Sequence, residues 1–355
     1  MDQEHGKTTI IKTIIELYKK HKKKAVLCAP TGRAAKRMTE TTGEEAKTLH
    51  RLLEIGKIED EGNYENIDYE IAPLDADVVI IDEMSMVDVF LMNYLVKALY
   101  QGTKLILVGD ADQLPSVGPG NVLEDLINSE KITTITLNKI FRQAAKSKII
   151  LNSHRINNGQ VFIKKDEIED ELNEDFFFIN ETNQDKILEQ VISLCNGRLK
   201  KMGDYDFFKN IQVITPTKKG TLGTKDLNRS LQEKMNPPSE GKKEKNVLGR
   251  IFRVGDRVMQ IKNNYDIFWE RKDVYLDKDY SMANGEKSKY SEEGKIPENG
   301  TGVFNGELGI IERIDDIDKQ MKIRFDDDKV VWYQYAELDQ LEHAYAITVH
   351  KAQRK

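Results

Sequence analysis

Cysteine is scarce in this chain of 355 residues, which has two, Cys28 and Cys195, each within an apolar stretch. Two isolated cysteines exclude a disulfide scaffold and a Cys-x-x-Cys metal site, and they favour a reducing compartment. Long apolar runs are also missing, since none approaches the roughly 18 residues that a membrane-spanning helix needs. The N-terminus lacks the charged-then-apolar pattern of a signal peptide. We therefore predict a cytoplasmic protein with no membrane partner.

An excess of positive charge is absent too. The net charge of −6 excludes a protein coated with positive charge, although a nucleic-acid groove needs only a local basic lining. With 32% charged and 39% hydrophobic residues, the composition is that of a chain that forms a core. We find no internal repeat, and the length suggests two domains at roughly 150 residues per domain. Net charge alone therefore does not decide which class of partner the protein binds.

Apolar runs of strand length alternate with helical patterns in the first half of the chain. This alternation indicates a parallel sheet covered by helices. A helical pattern over Ile10–Tyr18 ends in the basic run Lys19–Lys24, which suits the negative end of a helix dipole better than a nucleic-acid patch. The predicted buried strands are Ala25–Ala29, Val78–Asp82, Leu105–Gly109 and Ile132–Leu137.

The second half is less regular and becomes rich in short β-runs from about residue 250. Aspartates cluster between the last three runs, which favours consecutive hairpins and hence a small β-barrel. The polar stretch 270–300 is predicted to be a loop. Earlier in this half we predict strands at Asp175–Ile179 and Ile211–Thr215 and a helix over Ile187–Leu199. The late β-runs are Arg257–Ile261, Leu308–Ile314, Met321–Phe325 and Lys329–Tyr333.

A Gly-Lys-Thr motif stands near the N-terminus, at the start of a helical pattern. Gly6, Lys7, Thr8 and Thr9 correspond to the end of a P-loop, in which backbone amides and the helix N-terminus bind phosphates. Lys7 would neutralise the β- and γ-phosphates, and the Thr8 hydroxyl would ligate Mg²⁺. The full pattern needs glycine at position 1, where this chain has Met1, so the motif alone is a weak indication.

Polar side chains also follow two of the predicted strands. Asp82 can hold Mg²⁺ through water, and Glu83 can orient or deprotonate an attacking water. Gln113 follows the next strand, and its amide suits sensing of a γ-phosphate. Since open α/β sheets bind ligands at the carboxyl ends of their strands, the three sequence clusters predict one nucleotide site. The alternative for Asp82 and Glu83 is an acidic strand end followed by a turn.

These residues resemble a known family, the RecD/TraA-type helicases of superfamily 1, which includes the exodeoxyribonuclease V α-subunit. The resemblance spans essentially the whole chain. It departs from the family at the two ends, where the start of the P-loop and motif VI are missing, so we expect a fragment of a larger helicase. The matching segments are Gly6–Thr9 (motif I), Ala29–Ala35 (Ia), Thr48–Leu53, Asp82–Ser85 (II), Gly109–Gly120 (III), Asn138–Gln143 (IV), Ile214–Gly220, Gly255–Gln260, Val303–Gly309 and Ala344–Gln353 (V).

The resemblance implies an α/β fold with two RecA-like P-loop domains, 1–140 and 141–355, each with a parallel sheet. The first would carry a small pin-like hairpin at about 54–72, for which a plain surface loop is the alternative. The second would carry an inserted SH3-like barrel at about 250–341 that lines the DNA exit path. A solvated face is the alternative for its basic residues, Lys242, Lys243, Lys245, Arg250, Arg253 and Arg257. The implied activity is ATP-dependent 5′–3′ translocation on single-stranded DNA in recombination and repair.

The resemblance also assigns roles to single residues. ATP and Mg²⁺ are the implied cofactors, and the implied partners are single-stranded DNA and other subunits of a recombination or exonuclease complex. A helix-surface arginine is the alternative for Arg142, and structural histidines are the alternative for His50 and His350. The implied set is Gly6, Lys7, Thr8 and Thr9 for nucleotide, Thr8 and Asp82 for metal, Glu83, Gln113 and Arg142 for catalysis, and Thr31, Arg33, His50, Thr348 and His350 for DNA.

Other functions stay open at this point. One is a P-loop ATPase that does not translocate, and another is a DNA-binding fragment without turnover. A nuclease is disfavoured, because we see no separate carboxylate cluster for phosphodiester cleavage, and Asp82 and Glu83 are already assigned to Mg²⁺ and ATP.

Overall fold

A computed structural model describes residues 2–55, 71–137, 146–163, 175–203, 205–271 and 299–353. The chain divides into two compact units, Met1–Asn180 and Glu181–Lys355. The predicted boundary at 140/141 lies outside the described residues and stays a prediction, as does the predicted hairpin over most of 54–72. Among the described helices, none has the length and apolarity needed to cross a membrane.

The first unit contains a four-stranded parallel sheet. Its strands are β1 (Ala25–Ala29), β2 (Ala46–Thr48), β3 (Val78–Ile81) and β4 (Lys104–Leu107). They lie in the order β2-β1-β3-β4, and every pairing is parallel. All four residues of β3 are buried, as expected for a central strand covered on both faces. Three of the four predicted strands of this half are thereby confirmed.

Helices flank these strands along the chain, and several begin at a side-chain cap. Thr31 and Asp88 each accept a hydrogen bond from the backbone amide three residues later, which satisfies one of the free amides of a first helical turn. The helices of this unit are α1 (Asp2–Lys20), α2 (Gly32–Thr42), α3 (Leu49–Leu52), α4 (Val89–Ala98), α5 (Val122–Asn128) and α6 (Lys148–Asn157).

The predicted strand Ile132–Leu137 is wrong, because this segment is irregular and Ile135 is 86% exposed. A strand needs a partner for its backbone groups, and in the described part of the chain no strand pairs with the outer edge of β4. The predicted strand at Asp175–Ile179 is irregular too. There the Asp175 carboxylate accepts the backbone amide of Lys148 at 2.9 Å and so caps α6.

The second unit combines a short parallel pair with a larger antiparallel module. Its helices are α7 (Gln184–Ser193), α8 (Leu199–Met202), α9 (Thr224–Met235) and α10 (Val349–Gln353). The predicted helix 187–199 is interrupted at Gly197, whose φ of 134° is not helical. The strands are β5 (Val213–Thr215), β6 (Glu244–Val247), β7 (Arg250–Arg253), β8 (Arg257–Gln260), β9 (Asn264–Glu270), β10 (Asn299–Val303), β11 (Leu308–Asp315), β12 (Gln320–Phe325), β13 (Val330–Gln334), β14 (Leu341–His343) and β15 (Ala346–Thr348).

β5 and β15 pair in parallel, and seven strands form the antiparallel module in the order β10-β9-β13-β12-β11-β8-β14. Alternate residues of β12 are buried, which is the pattern of a strand with one face on the core. In the turn after β11, Asp315 Oδ1 accepts the backbone amide of Ile317 at 3.1 Å. The α/β class with parallel sheets and a late β-module is therefore confirmed, and the Asp-rich stretches do form hairpin turns.

A buried lysine ties the module together. The Lys329 ammonium lies 3.0 Å from both carboxylate oxygens of Glu307 and 5.5 Å from the centroid of the Trp269 ring. The Lys329 side chain is 3% exposed and that of Glu307 is 11% exposed. The Lys329 ammonium also lies 3.4 Å from Asp327 Oδ2, so loss of the lysine would take a buried positive charge away from two carboxylates.

Replacing Lys329 with methionine should therefore lower the free energy of unfolding by about 3–5 kcal/mol, because Glu307 keeps its charge in a buried setting. The matched control is Lys262→Met, which breaks an exposed pair with Asp339 and should cost at most about 1 kcal/mol. Urea unfolding measures both variants. Equal losses would contradict the argument from burial.

Candidate functional site

The candidate nucleotide site of the first unit lies at the carboxyl edge of its parallel sheet. Ile81, the last residue of β3, is in register with Cys28 of β1 and Leu107 of β4. The ladder continues past the strand, since the Asp82 amide donates to the Cys28 carbonyl at 3.1 Å and the Val108 amide donates to the Ile81 carbonyl at 2.8 Å. The residues after β1, β3 and β4 therefore emerge at one edge, as the sequence predicted.

A tight turn holds the two carboxylates at this edge. Asp82 Oδ1 accepts the backbone amide of Glu83 at 2.8 Å. Glu83 has φ 53° and ψ 42°, a left-handed conformation that costs a non-glycine residue roughly 1 kcal/mol and turns the chain sharply. The next amide, of Met84, donates to the Val108 carbonyl at 3.0 Å. Asp82 and Glu83 are both half-buried and directly follow the last residue of β3.

Asp110 organises the loop that carries Gln113. Its carboxylate accepts the Asp112 amide at 3.0 Å and lies 3.5 Å from Gln113 Nε2, while its carbonyl accepts the Gln113 amide at 3.3 Å. The half-buried Gln113 side chain is thus held close to the strand end. Asp110 has no predicted role, although aspartate is common in turns because its side chain can accept the backbone amide two residues later.

Further along, this loop packs against the start of α4. A Cβ on Gly118 would come within 2.0 Å of Asp88 Oδ2, and one on Gly120, where φ is +90°, within 2.3 Å of Val89 Cγ2. The Val89 amide donates to the Pro119 carbonyl at 3.0 Å. Only glycine permits this close approach, so the Gly-Pro-Gly sequence fixes the loop on α4.

The P-loop residues lie within a helix. α1 begins at Asp2, so that Gly6, Lys7, Thr8 and Thr9 fall in its first two turns. In an α-helix the amides from the fifth residue onward bond carbonyls four residues earlier, so from Gly6 onward they are not open to phosphate. The motif therefore lies in the first turns of a helix, and the half-buried Lys7 stays a candidate phosphate ligand.

The predicted DNA contacts of this unit follow β1 and β2. Thr31 caps α2, where its hydroxyl accepts the Ala34 amide at 3.2 Å, and Arg33 is exposed in the first turn. His50 is half-buried in α3, which Thr48 caps by accepting the Arg51 amide at 3.1 Å. The edge therefore brings together Thr31, Asp82, Glu83 and Gln113 by element position. Arg142 lies outside the described residues.

The second unit has a carboxyl edge of its own, formed by β5 and β15. Thr348 is in register with Thr215 and is 9% exposed, and its hydroxyl accepts the Lys351 amide at 3.4 Å at the start of α10. His350 is exposed on α10, and Lys218 and Lys219 are exposed after β5. Imidazole and ammonium groups thus surround this edge, in keeping with a surface for phosphates.

Two arginines predicted to line the DNA path are buried instead. Arg257 Nη1 donates to the carbonyls of Phe207 at 3.0 Å and Ile211 at 2.9 Å, and Arg253 Nη1 donates to the Asn236 carbonyl at 2.5 Å. Their guanidinium groups tie the module to neighbouring segments of the second unit. The prediction for these two residues is wrong, because alternation along short strands does not tell which face is covered.

Among the described residues, neither cysteine is suited to act as a nucleophile, and no cluster of metal ligands is found. Burial raises the pKa of the Cys28 thiol far above its usual range and that of Cys195 to about 11, so neither is a thiolate nucleophile near neutral pH. Within the same residues, no group of three or more histidine, cysteine or acidic side chains is arranged to hold a metal ion.

Two parts of the chain match known protein families. Residues 5–119 match the family model of an AAA domain, and residues 227–325 match that of the ATP-dependent RecD-like DNA helicase SH3 domain. The ATP-dependent RecD2 DNA helicase of Deinococcus radiodurans is 33% identical over 98% of this chain and 40% of its own length. The chain is similar to RecD-like helicases over almost its whole length.

A second curated protein and a solved structure are also similar to this chain. The RecBCD enzyme subunit RecD of Buchnera aphidicola subsp. Acyrthosiphon pisum is 27% identical over 72% of this chain and 52% of its own length. A crystal structure of Bacteroides Pif1 bound to single-stranded DNA covers 98% of this chain and 78% of that one, at 19% identity and a TM-score of 0.46. The chain thus spans about half or less of the length of these two curated relatives.

Gly109 offers a test of how the two strand-end turns depend on each other. A Cβ at this position would lie 2.7 Å from Leu123 Cδ2 and 3.2 Å from the Met84 nitrogen. Gly109→Ala should therefore cost about 1–3 kcal/mol of unfolding free energy and push the Met84 turn away from β4. Hydrogen exchange at the Met84 amide should become faster, because that amide bonds the Val108 carbonyl.

The control is Gly102→Ala, near the other end of β4, where φ is +97° but a Cβ meets nothing within 4 Å. It should also lower the free energy of unfolding, because a side chain is strained at that φ, yet it should leave exchange at Met84 unchanged. Faster exchange at Met84 in both variants would mean that the effect is general loosening.

Proposed function

We propose that this chain contains the ATP-driven motor of a RecD-like DNA helicase and moves 5′ to 3′ along single-stranded DNA. One observation carries the proposal. Asp82, Glu83 and Gln113 emerge at one carboxyl edge of a parallel sheet, in a chain that also matches the SH3 domain of RecD-like helicases. ATP hydrolysis is the activity that an acidic pair and a glutamine at such an edge serve best.

Nucleotide chemistry assigns these residues distinct tasks. Mg²⁺-bound ATP supplies a phosphoanhydride whose hydrolysis releases free energy, and carboxylate and hydroxyl oxygens are the ligands that Mg²⁺ prefers. Asp82 and Thr8 would hold that ion and Lys7 would neutralise the phosphates, with Gly6 and Thr9 beside them. Glu83 would orient or deprotonate water, because the Glu83 turn keeps its carboxylate at the strand end.

Gln113 would couple the nucleotide state to DNA, since its loop is fixed both to Asp110 and, through Pro119, to α4. Arg142 would supply a positive charge to the γ-phosphate, in line with the arginine fingers of phosphoryl-transfer proteins.

DNA would be held through its phosphates. Arg33 and His350 are exposed and offer N–H donors, while Thr31 and Thr348 each accept a backbone amide and still have a hydroxyl proton to donate. His50 would add a further N–H donor. Contacts of this kind are sequence-independent and weaken as salt displaces them, so the substrate class is single-stranded DNA of any sequence.

The wider setting of the protein is also part of this proposal. The relative named as a RecBCD enzyme subunit suggests assembly with further subunits of a recombination complex. A cytoplasmic location stays a prediction from the sequence. Two alternatives compete, an ATPase that does not translocate and a DNA-binding chain without turnover.

The decisive experiment measures ATP hydrolysis with and without a poly-dT oligonucleotide. We expect DNA to stimulate turnover and salt to reduce that stimulation. Lys7→Ala should lower the stimulated rate by about 10²-fold or more, because a charge aimed at developing negative charge is lost. The control is Lys12→Ala, an exposed lysine on the same helix, which should leave the rate unchanged.

Other results would select the alternatives. Turnover that DNA does not change would favour an ATPase without translocation. Salt-sensitive DNA binding without turnover would favour the binding fragment. Displacement of a strand from duplexes with a 3′ tail, but not from those with a 5′ tail, would contradict the proposed polarity.

A further inference from the structure

Asp256 is fully buried in the turn between β7 and β8, and donors surround its carboxylate. Oδ1 accepts Asn236 Nδ2 at 2.7 Å and the Tyr345 hydroxyl at 2.9 Å. Oδ2 accepts Gln232 Nε2 at 2.6 Å and the Arg253 backbone amide at 2.7 Å. A buried carboxylate is costly unless its oxygens are hydrogen-bonded, so Asp256 and these donors fix one another in place.

Three side-chain amides near this carboxylate come from α9 and from the residue that follows it. Asn228 and Gln232 lie on one face of α9, and Asn236 is the C-cap residue of that helix. The three are spaced four residues apart, and each is more than nine-tenths buried. Asn228 clamps β15, since its Oδ1 accepts the Ala346 amide at 2.8 Å and its Nδ2 donates to the Ala346 carbonyl at 3.0 Å. We call Asn228, Gln232 and Asn236 the amide stripe.

Tyr345 links the Asp256 carboxylate to the start of β15. Its ring stacks on Phe207 at 5.7 Å between centroids, and its hydroxyl reaches Asp256. The residue after it begins β15, which ends at Thr348 and leads into the helix that carries His350. Every hydrogen bond in this chain of contacts is directional, so together they set both the position and the twist of β15.

A buried polar network is not needed merely to hold elements together, since apolar packing serves that purpose in most cores. Replacing buried ionic groups by hydrophobic ones is often neutral or stabilising, and polar contacts in a core are best attested as a means of selecting one geometry. The Asp256 network therefore points to a requirement for position. The group it positions is the carboxyl edge of β15.

We propose that Asp256 and the amide stripe position the β15–α10 segment, so that Thr348 and His350 meet the phosphates of single-stranded DNA. This inference rests on the proposed function, and it assigns positioning roles to residues that would not touch DNA. In this proposal the antiparallel module supports DNA binding through the buried Asp256 and not through a surface of the module.

Tyr345→Phe tests the proposal, because it removes one hydroxyl and keeps the stacked ring. The matched control is Tyr333→Phe, which removes a hydroxyl that donates to Gln260 Oε1, also at 2.9 Å, inside the same module. Both tyrosines are fully buried, so the two variants should lose similar unfolding free energy. Only Tyr345→Phe should weaken binding of a fluorescent poly-dT oligonucleotide, with Kd rising about threefold to tenfold.

A second measurement does not depend on DNA. Hydrogen exchange of the full chain should become faster across residues 346–353 in Tyr345→Phe and stay as in the unaltered chain in Tyr333→Phe. In the hydrolysis assay, the DNA concentration for half-maximal stimulation should rise in Tyr345→Phe while the maximal rate is kept. Asp256→Asn, which turns one acceptor oxygen into a donor among donors, should enlarge each effect.

The outcomes separate the two proposals. If the unaltered chain binds no oligonucleotide, the proposed function fails, and exchange at 346–353 still decides whether Asp256 positions the segment. If both variants weaken DNA binding equally, or if exchange at 346–353 is unchanged in Tyr345→Phe, the network is merely stabilising and this inference is overturned.

Discussion

The parallel register of β1, β3 and β4 is the constraint on which the first unit depends. Because Cys28, Ile81 and Leu107 lie side by side, three loops that are far apart in sequence start from neighbouring points. The ladder bonds of Asp82 and Val108 extend this alignment one residue beyond the strands. The sheet register therefore places the loops that carry Asp82, Glu83 and Gln113 next to one another.

Hydrogen bonds from short side chains then determine the local shape of each loop. Asp110 shapes the glutamine loop, Thr31 and Thr48 start helices, and Asp82 bonds the next amide. In the second unit the same kind of bond occurs in the core, where the Asp256 carboxylate accepts hydrogen bonds from Gln232, Asn236 and Tyr345. One unit thus uses polar contacts to shape exposed loops, and the other uses them to fix buried elements.

Much of this could be predicted from the sequence, because strand runs such as Val78–Ile81 are strongly apolar and Asp-rich turns favour hairpins. The carboxyl-edge location of Asp82, Glu83 and Gln113 follows from that pattern. What failed depends on partners that a local pattern does not contain. Ile132–Leu137 has the composition of a strand but no neighbour in the described residues, and Arg253 and Arg257 are buried because other segments cover them.

Asp256 and the amide stripe were missed for a related reason. Asparagine and glutamine on a helix usually indicate a solvent-facing side, so Asn228 and Gln232 carried no signal. Their spacing of four residues matches a buried face, but only the structure shows that backbone carbonyls and a carboxylate lie opposite. The sequence also predicts a helical pattern over Ile10–Tyr18, whereas helix α1 begins at Asp2 and includes Gly6 to Thr9.

The spacing of the amide stripe limits how α9 can change in length. Each residue added to a helix turns everything beyond it by about 100°. One residue inserted between Asn228 and Asn236 would swing part of the stripe away from either Ala346 or Asp256, and no side-chain adjustment could restore both. This stretch should therefore be far less tolerant of insertions and deletions than of substitutions, unlike the connections on either side of it.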